Sequence, residues 1–313
     1  MKTKYVQDGN LYDGLGAAQL NDVTMHTFCV EADRRKLQAW LDKTFATPSN
    51  GAVKYEALGS KIFLGVSELG HVELVAPSQP TKGYTREIDV LFWILARKRG
   101  DGPFALRWIP AYLFVDSGPV LVTGREVWGF PKQLGRFSFS PKGDDPAKAR
   151  EYYMDGWVLS PYAPDTVTRW APMVEIRPKE KKSHDGTIWD RLESFAETAV
   201  SRLAGDMSSI AGHIETALGK GALTMSFLKQ FPDASDPTYA CYQAIIEAEA
   251  KVTGFEGSGL TDDLYEVQIT SYDDHPFAEE LGLAPGWQDV GRGIWVQFAF
   301  RQELGQEIWK AEI

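Results

Sequence analysis

The run Gly124-Arg125-Glu126-Val127-Trp128-Gly129-Phe130-Pro131-Lys132-Gln133-Leu134-Gly135 sets a single lysine, Lys132, among aromatic and aliphatic neighbours behind a Gly/Pro turn. It follows a strand-like stretch, Val120-Leu121-Val122-Thr123. A free lysine is almost wholly protonated at pH 7, and so is no nucleophile. Desolvation in an apolar pocket, or repulsion from a second cation, favours the neutral amine, which attacks carbonyl carbon. Trp128 and Phe130 flank the lysine, and Trp93 stands on an upstream strand. All three are expected in the core, part of their surface serving as a substrate-binding wall. Arg125 and Glu126 are expected to hold the turn through an ion pair. The plain alternative is a solvated lysine after a strand turn.

Other chemistry finds little footing. The five histidines, at 26, 71, 184, 213 and 275, have neither His-Glu-x-x-His spacing nor a Cys-x-x-Cys companion, so no metal site is expected. Gly14-Leu15-Gly16 opens a dinucleotide-like pattern that fails at Gln19, and there is no Gly-Lys-Ser/Thr phosphate loop or Gly-x-Ser-x-Gly elbow. No cofactor is called for.

Composition narrows the class. The chain has 313 residues, 43% hydrophobic and 24% charged, as in an ordinary globular protein. Its 33 basic against 43 acidic residues give a net charge of −10, which argues against a nucleic-acid partner. The longest apolar run, Ile88 to Ala96, carries Asp89 and is far too short to cross a bilayer. The polar start shows no signal-peptide pattern. With only Cys29 and Cys241, free buried thiols in a reducing cytoplasm are expected.

The elements that must position the lysine are mostly strands. Asp33 caps an expected helix over 33–45, with Leu37, Trp40, Leu41 and Phe45 on one face. Strands are expected at 61–66, 72–75, 88–96, 105–115, 120–123 and 135–140, separated by Gly, Pro and Asp clusters. The polar segment 141–187 holds strand-like pieces near 157–159 and 173–176. Two helices follow, at 187–203 and 208–218, and strands resume at 223–231, 239–252, 265–270 and 294–300. So many strands without intervening helices imply an antiparallel sheet or barrel within an α+β chain.

The lysine segment closely resembles the motif of the acetoacetate decarboxylase family, roughly Gly-Arg-Glu, three residues, Pro-Lys-Lys-Leu-Gly. Similarity continues through Leu223–Lys229, Ala244–Ala248, Phe255–Gly259 and His275-Pro276, covering most of residues 20–285. The resemblance implies a single domain over 1–313: a mainly antiparallel β-barrel or cone, with peripheral helices and a helical insertion at about 187–220. It also implies a homo-oligomer.

It implies a mechanism too. Lys132 would form a protonated Schiff base with a ketone, and that cation would draw the electrons of a neighbouring carbon–carbon bond. A β-keto acid would lose carbon dioxide; alternatively, a pyruvate-type enamine would condense with an aldehyde in an aldolase-dehydratase. A non-catalytic protein that binds small-molecule carbonyl compounds is the alternative from another class. Glu87 matches one family glutamate and would shuttle protons near the imine, or it is a solvated strand-end charge paired with Arg86. The second lysine of the motif is Gln133, which either hydrogen-bonds substrate or faces solvent. No arginine occurs in 21–30, and no glutamate stands in Lys61–Val66, Glu68 being nearest. These departures argue against acetoacetate itself as substrate.

Overall fold

The structure, a computed structural model, describes residues 16–75, 83–102, 105–140, 143, 145–179 and 222–312. The helices expected at 187–203 and 208–218 lie outside these residues. Among the described residues, twelve strands form one sheet. They are β1 (Ala17–Glu31), β2 (Tyr55–Ala57), β3 (Lys61–Val75), β4 (Thr85–Lys98), β5 (Leu106–Val115), β6 (Lys132–Phe139), β7 (Tyr152–Val158), β8 (Arg169–Pro178), β9 (Ala222–Pro232), β10 (Ala240–Ile269), β11 (Trp287–Gln302) and β12 (Gln306–Lys310). Pairing runs β4–β3–β1–β11–β10–β8–β7–β6–β5, and β5 pairs again with β4, which closes the sheet on itself. β9 bridges β5 and β10 across this ring. The long β10 serves four neighbours by bending at register shifts near Gly254, Gly257 and Leu260.

The apolar run at 88–96 reads as continuous because β3 and β4 are buried on both faces. On β3, Ile62, Leu64 and Val66 enter the main core, together with Phe28, Phe92 and Met173. Phe63, Leu69 and Val72 face the other way, toward the inside of the cone. Helix α1 (Arg34–Leu41) starts where expected: the Asp33 carboxylate accepts from Arg35 N at 2.8 Å. Leu37 and Leu41, with Phe45 of the wide turn Asp42–Ala46 that follows, plug it into the core. A short helix, α3 (Phe277–Leu281), stacks Phe277 on Phe92 with ring centroids 5.0 Å apart.

One expected strand is a helix. Residues Gly118–Thr123 form α2, continued by a wide turn over Gly124–Trp128. β-branched residues favour extended backbone, but here topology overrides propensity. β5 and β6 run parallel, with Leu113 opposite Lys132, and parallel neighbours need a crossover between them. Pro119 starts the crossover helix, and Val120 and Thr123, three residues apart, are its buried face. β1, β2 and β12 lie where no strand was expected. Both cysteines are free; Cys241 is exposed rather than buried.

Candidate active site

The crossover decides where the lysine goes. Gly129 ends the wide turn at φ 89°, and a Cβ there would lie 2.8 Å from the Lys229 backbone, so residue 129 needs glycine on both counts. Phe130 N returns to Gly124 O at 3.1 Å, and Pro131 leads into β6 with Lys132 as its first residue. In place of the expected ion pair with Glu126, Arg125 Nη1 donates to the Lys132 carbonyl at 3.0 Å. Glu126 is exposed.

Lys132 points inward and is 9% exposed. Its Nζ donates to Glu87 Oε1 at 2.8 Å, and Glu87 is 3% exposed, neither solvated nor spent on Arg86. The resemblance implied a Glu87 carboxylate near the imine, and the structure sets it in direct contact with the amine. Two residues along β4, on the same face, stands Asp89. Ser67 of β3 is opposite it in register. Asp89 is buried, and its Oδ1 has no hydrogen-bond partner. Burial, with Glu87 beside it, pushes the Asp89 carboxyl up to about 8, against the contrary pull of the Ser67 hydroxyl and Lys132. Asp89 was missed from the sequence, although a carboxylate inside an otherwise apolar strand, two positions from Glu87, was a visible signal.

These groups open into a cavity of about 950 Å³ inside the cone, lined also by Trp93, Trp128, Phe130 and Thr123. Trp128 is anchored by Nε1 to Glu303 O at 2.8 Å, and the Phe130 ring centroid lies 5.6 Å from Lys132 Nζ. Gln133 is elsewhere. Strand alternation turns it to the opposite face of β6, where its Oε1 and His275 Nε2 are hydrogen-bonded at 2.6 Å. Glu68 likewise lies outside, gripped by Arg150. Among the described residues, no group of three or more His, Cys, Asp or Glu is placed to hold a metal ion. No helix among them is long and apolar enough to span a membrane.

A closed cone of mainly antiparallel strands with few helices is the acetoacetate-decarboxylase-like fold, and this chain has it. It is similar over 95% of its length to acetoacetate decarboxylase from Legionella pneumophila subsp. pneumophila strain Philadelphia 1, at 12% identity, 89% of that chain and a TM-score of 0.58. An acetoacetate decarboxylase-like enzyme from Sphingomonas wittichii RW1 aligns over 99% of both chains at 13% identity and a TM-score of 0.54. The enduracididine biosynthesis enzyme MppR, complexed with pyruvate, aligns over 94% of this chain and 90% of its own at 10% identity and a TM-score of 0.50. No family model and no curated protein matches the sequence.

Proposed function

We propose that the chain is a Schiff-base-forming carbon–carbon lyase acting on a keto acid, with Lys132 as nucleophile and Glu87 and Asp89 as proton carriers. The observation that carries this reading is the buried contact of Lys132 Nζ with Glu87 inside a largely apolar cavity. Moving one proton along that 2.8 Å bond converts ammonium and carboxylate into amine and carboxylic acid, and the free amine attacks the ketone carbon. Asp89, still protonated at neutral pH, gives its proton to the carbinolamine hydroxyl, which leaves as water. The protonated imine then takes up the electron pair of the bond to the substrate carboxylate. Carbon dioxide departs, and an enamine remains. Protonation of the enamine carbon and hydrolysis return the free lysine.

A second reading shares the first steps. MppR has been solved with pyruvate and with the condensation product of pyruvate and imidazole 4-carboxaldehyde. By that likeness, an enamine formed on Lys132 would attack an aldehyde. One experiment tests both. The protein is incubated with a panel of keto acids, reduced with borohydride and mapped by peptide mass, while carbon dioxide release is followed separately. The adduct is expected on Lys132, with Lys132→Arg abolishing both trapping and turnover. Labelling of another lysine with Lys132→Arg fully active refutes the proposal. Trapping of pyruvate with aldehyde-dependent product and no carbon dioxide selects the second reading.

A further inference from the structure

The cavity is far larger than acetoacetate or pyruvate requires. A void of about 150 Å³ accommodates benzene; at that scale about 950 Å³ has room for on the order of thirty non-hydrogen atoms. Its chemistry is also uneven. Glu87, Asp89, Ser67 and Lys132 form one polar cluster; the other charged lining residues are Arg107, Asp289, Arg292 and, at the end of β1 and β3, Lys61 and Glu31, whose Nζ and Oε1 meet at 2.5 Å. Ser67 and Lys61 are six residues apart on β3, about 20 Å of extended strand.

One run of side chains between the two ends is apolar and continuous, with Arg107 beside it. Phe130, beside the lysine, packs with Trp93 in the cluster around Leu91. Trp93 meets Trp108 with ring centroids 6.3 Å apart, and Trp108 meets Phe63 at 5.1 Å. Leu95 completes this stretch. Rings and branched side chains in contact make a surface that a flexible hydrocarbon covers without leaving polar groups unpaired.

From this we infer that the substrate is a keto acid bearing a long unbranched apolar chain of about ten carbons or more. Its carbonyl lies at Lys132 and its tail along the Trp93–Trp108–Phe63 wall toward Lys61. The inference rests on the Schiff-base reading for the carbonyl and on the cavity alone for the tail. A short keto acid reaches the lysine but leaves most of the cavity wall wet.

The test is a series of 3-oxo acids from the four-carbon to the fourteen-carbon member, kept below micelle-forming concentrations. Each is trapped on Lys132 with borohydride under subsaturating conditions. Burial of each added methylene is expected to raise the apparent second-order trapping rate by up to about fourfold. A gain of at least about 100-fold is expected between the four- and ten-carbon acids. Equal trapping of the two acids overturns the inference and leaves the lysine chemistry standing.

A second arm needs no imine. Dodecanoate, which has no ketone, is titrated against Lys132→Met and the parent while tryptophan emission is followed. Saturable binding to both supports the tail site, and absence of binding to both overturns it. Should no acid of the series label Lys132 while dodecanoate still binds, the covalent reading falls and the apolar ligand class stands.

Discussion

A Cβ added to Gly124 would lie 2.6 Å from Cδ and 2.8 Å from Cε of Lys132. The bare backbone of residue 124 is thus the floor on which the lysine side chain rests. Gly124 has ordinary helical dihedrals, φ −62° and ψ −42°, so the constraint there is space and not backbone strain. Gly124→Ala is expected to fold normally, because the flexible lysine can move aside. Moving aside, however, draws Nζ off Glu87. Displacing a reacting group by about 1 Å commonly reduces rate about 100-fold, and borohydride trapping should fall by that order with little change in Tm. Parent-like trapping would show that the close fit has no chemical role.

Asp89 should leave a signature in the pH dependence of stability. Its folded carboxyl is pushed up to about 8, while an unfolded aspartate titrates near 3.9. Between these values the folded state holds a proton that the unfolded state has released, so stability falls as pH rises from about 4 to about 8. It then levels off. Asp89→Asn has no such proton to lose. Chemical denaturation should therefore show the variant gaining on the parent across that window, by an amount on the order of a few kcal/mol. A difference independent of pH would contradict the assignment. The same variant should slow imine formation about 100-fold, since the acid for carbinolamine dehydration is gone.

Much of the cone was legible because alternation and Gly/Pro punctuation are local properties. Strands β4, β5 and β9 stand close to where the pattern puts them. Asp33 also caps its helix as its residue type suggests. What was not legible depends on distant partners. Val120–Thr123 reads as strand until β5 and β6 are known to be parallel. The lysine motif brought Lys132 and Glu87 together across 45 positions because that resemblance carries three-dimensional information. Asp89 fell outside the motif, and Gln133, inside it, was read as either a substrate contact or solvated, whereas strand alternation turns it onto His275.

That alternation gives a prediction for Gln133→Lys. A second cation beside Lys132 in sequence would repel its ammonium only if both entered the cavity, and residue 133 faces His275 instead. The pH profile of trapping should stay as in the parent. Stability should fall by about 1 to 3 kcal/mol, because Nε2 of the buried His275 loses its Gln133 partner and faces a cation, keeping only Asp274 at Nδ1. A displaced pH profile would mean that the new side chain reaches the site.

The ion pair itself is best tested as a pair. Lys132→Met leaves Glu87 buried and uncompensated, next to another carboxyl, and Glu87→Gln leaves a buried ammonium facing an amide. Removing one partner of a buried pair commonly costs about 3 to 5 kcal/mol, whereas replacing both with groups of similar volume is often neutral. The Lys132→Met/Glu87→Gln double variant should therefore be more stable than either single variant. Its cycle should give a coupling of at least about 2 kcal/mol in urea denaturation. Additive effects would show that Lys132 and Glu87 do not sense each other, and the proton transfer on which the amine depends would lose its basis. Strong coupling with all three variants inactive in trapping is the expected result: the contact is used by the chemistry and is not needed to hold the cone together.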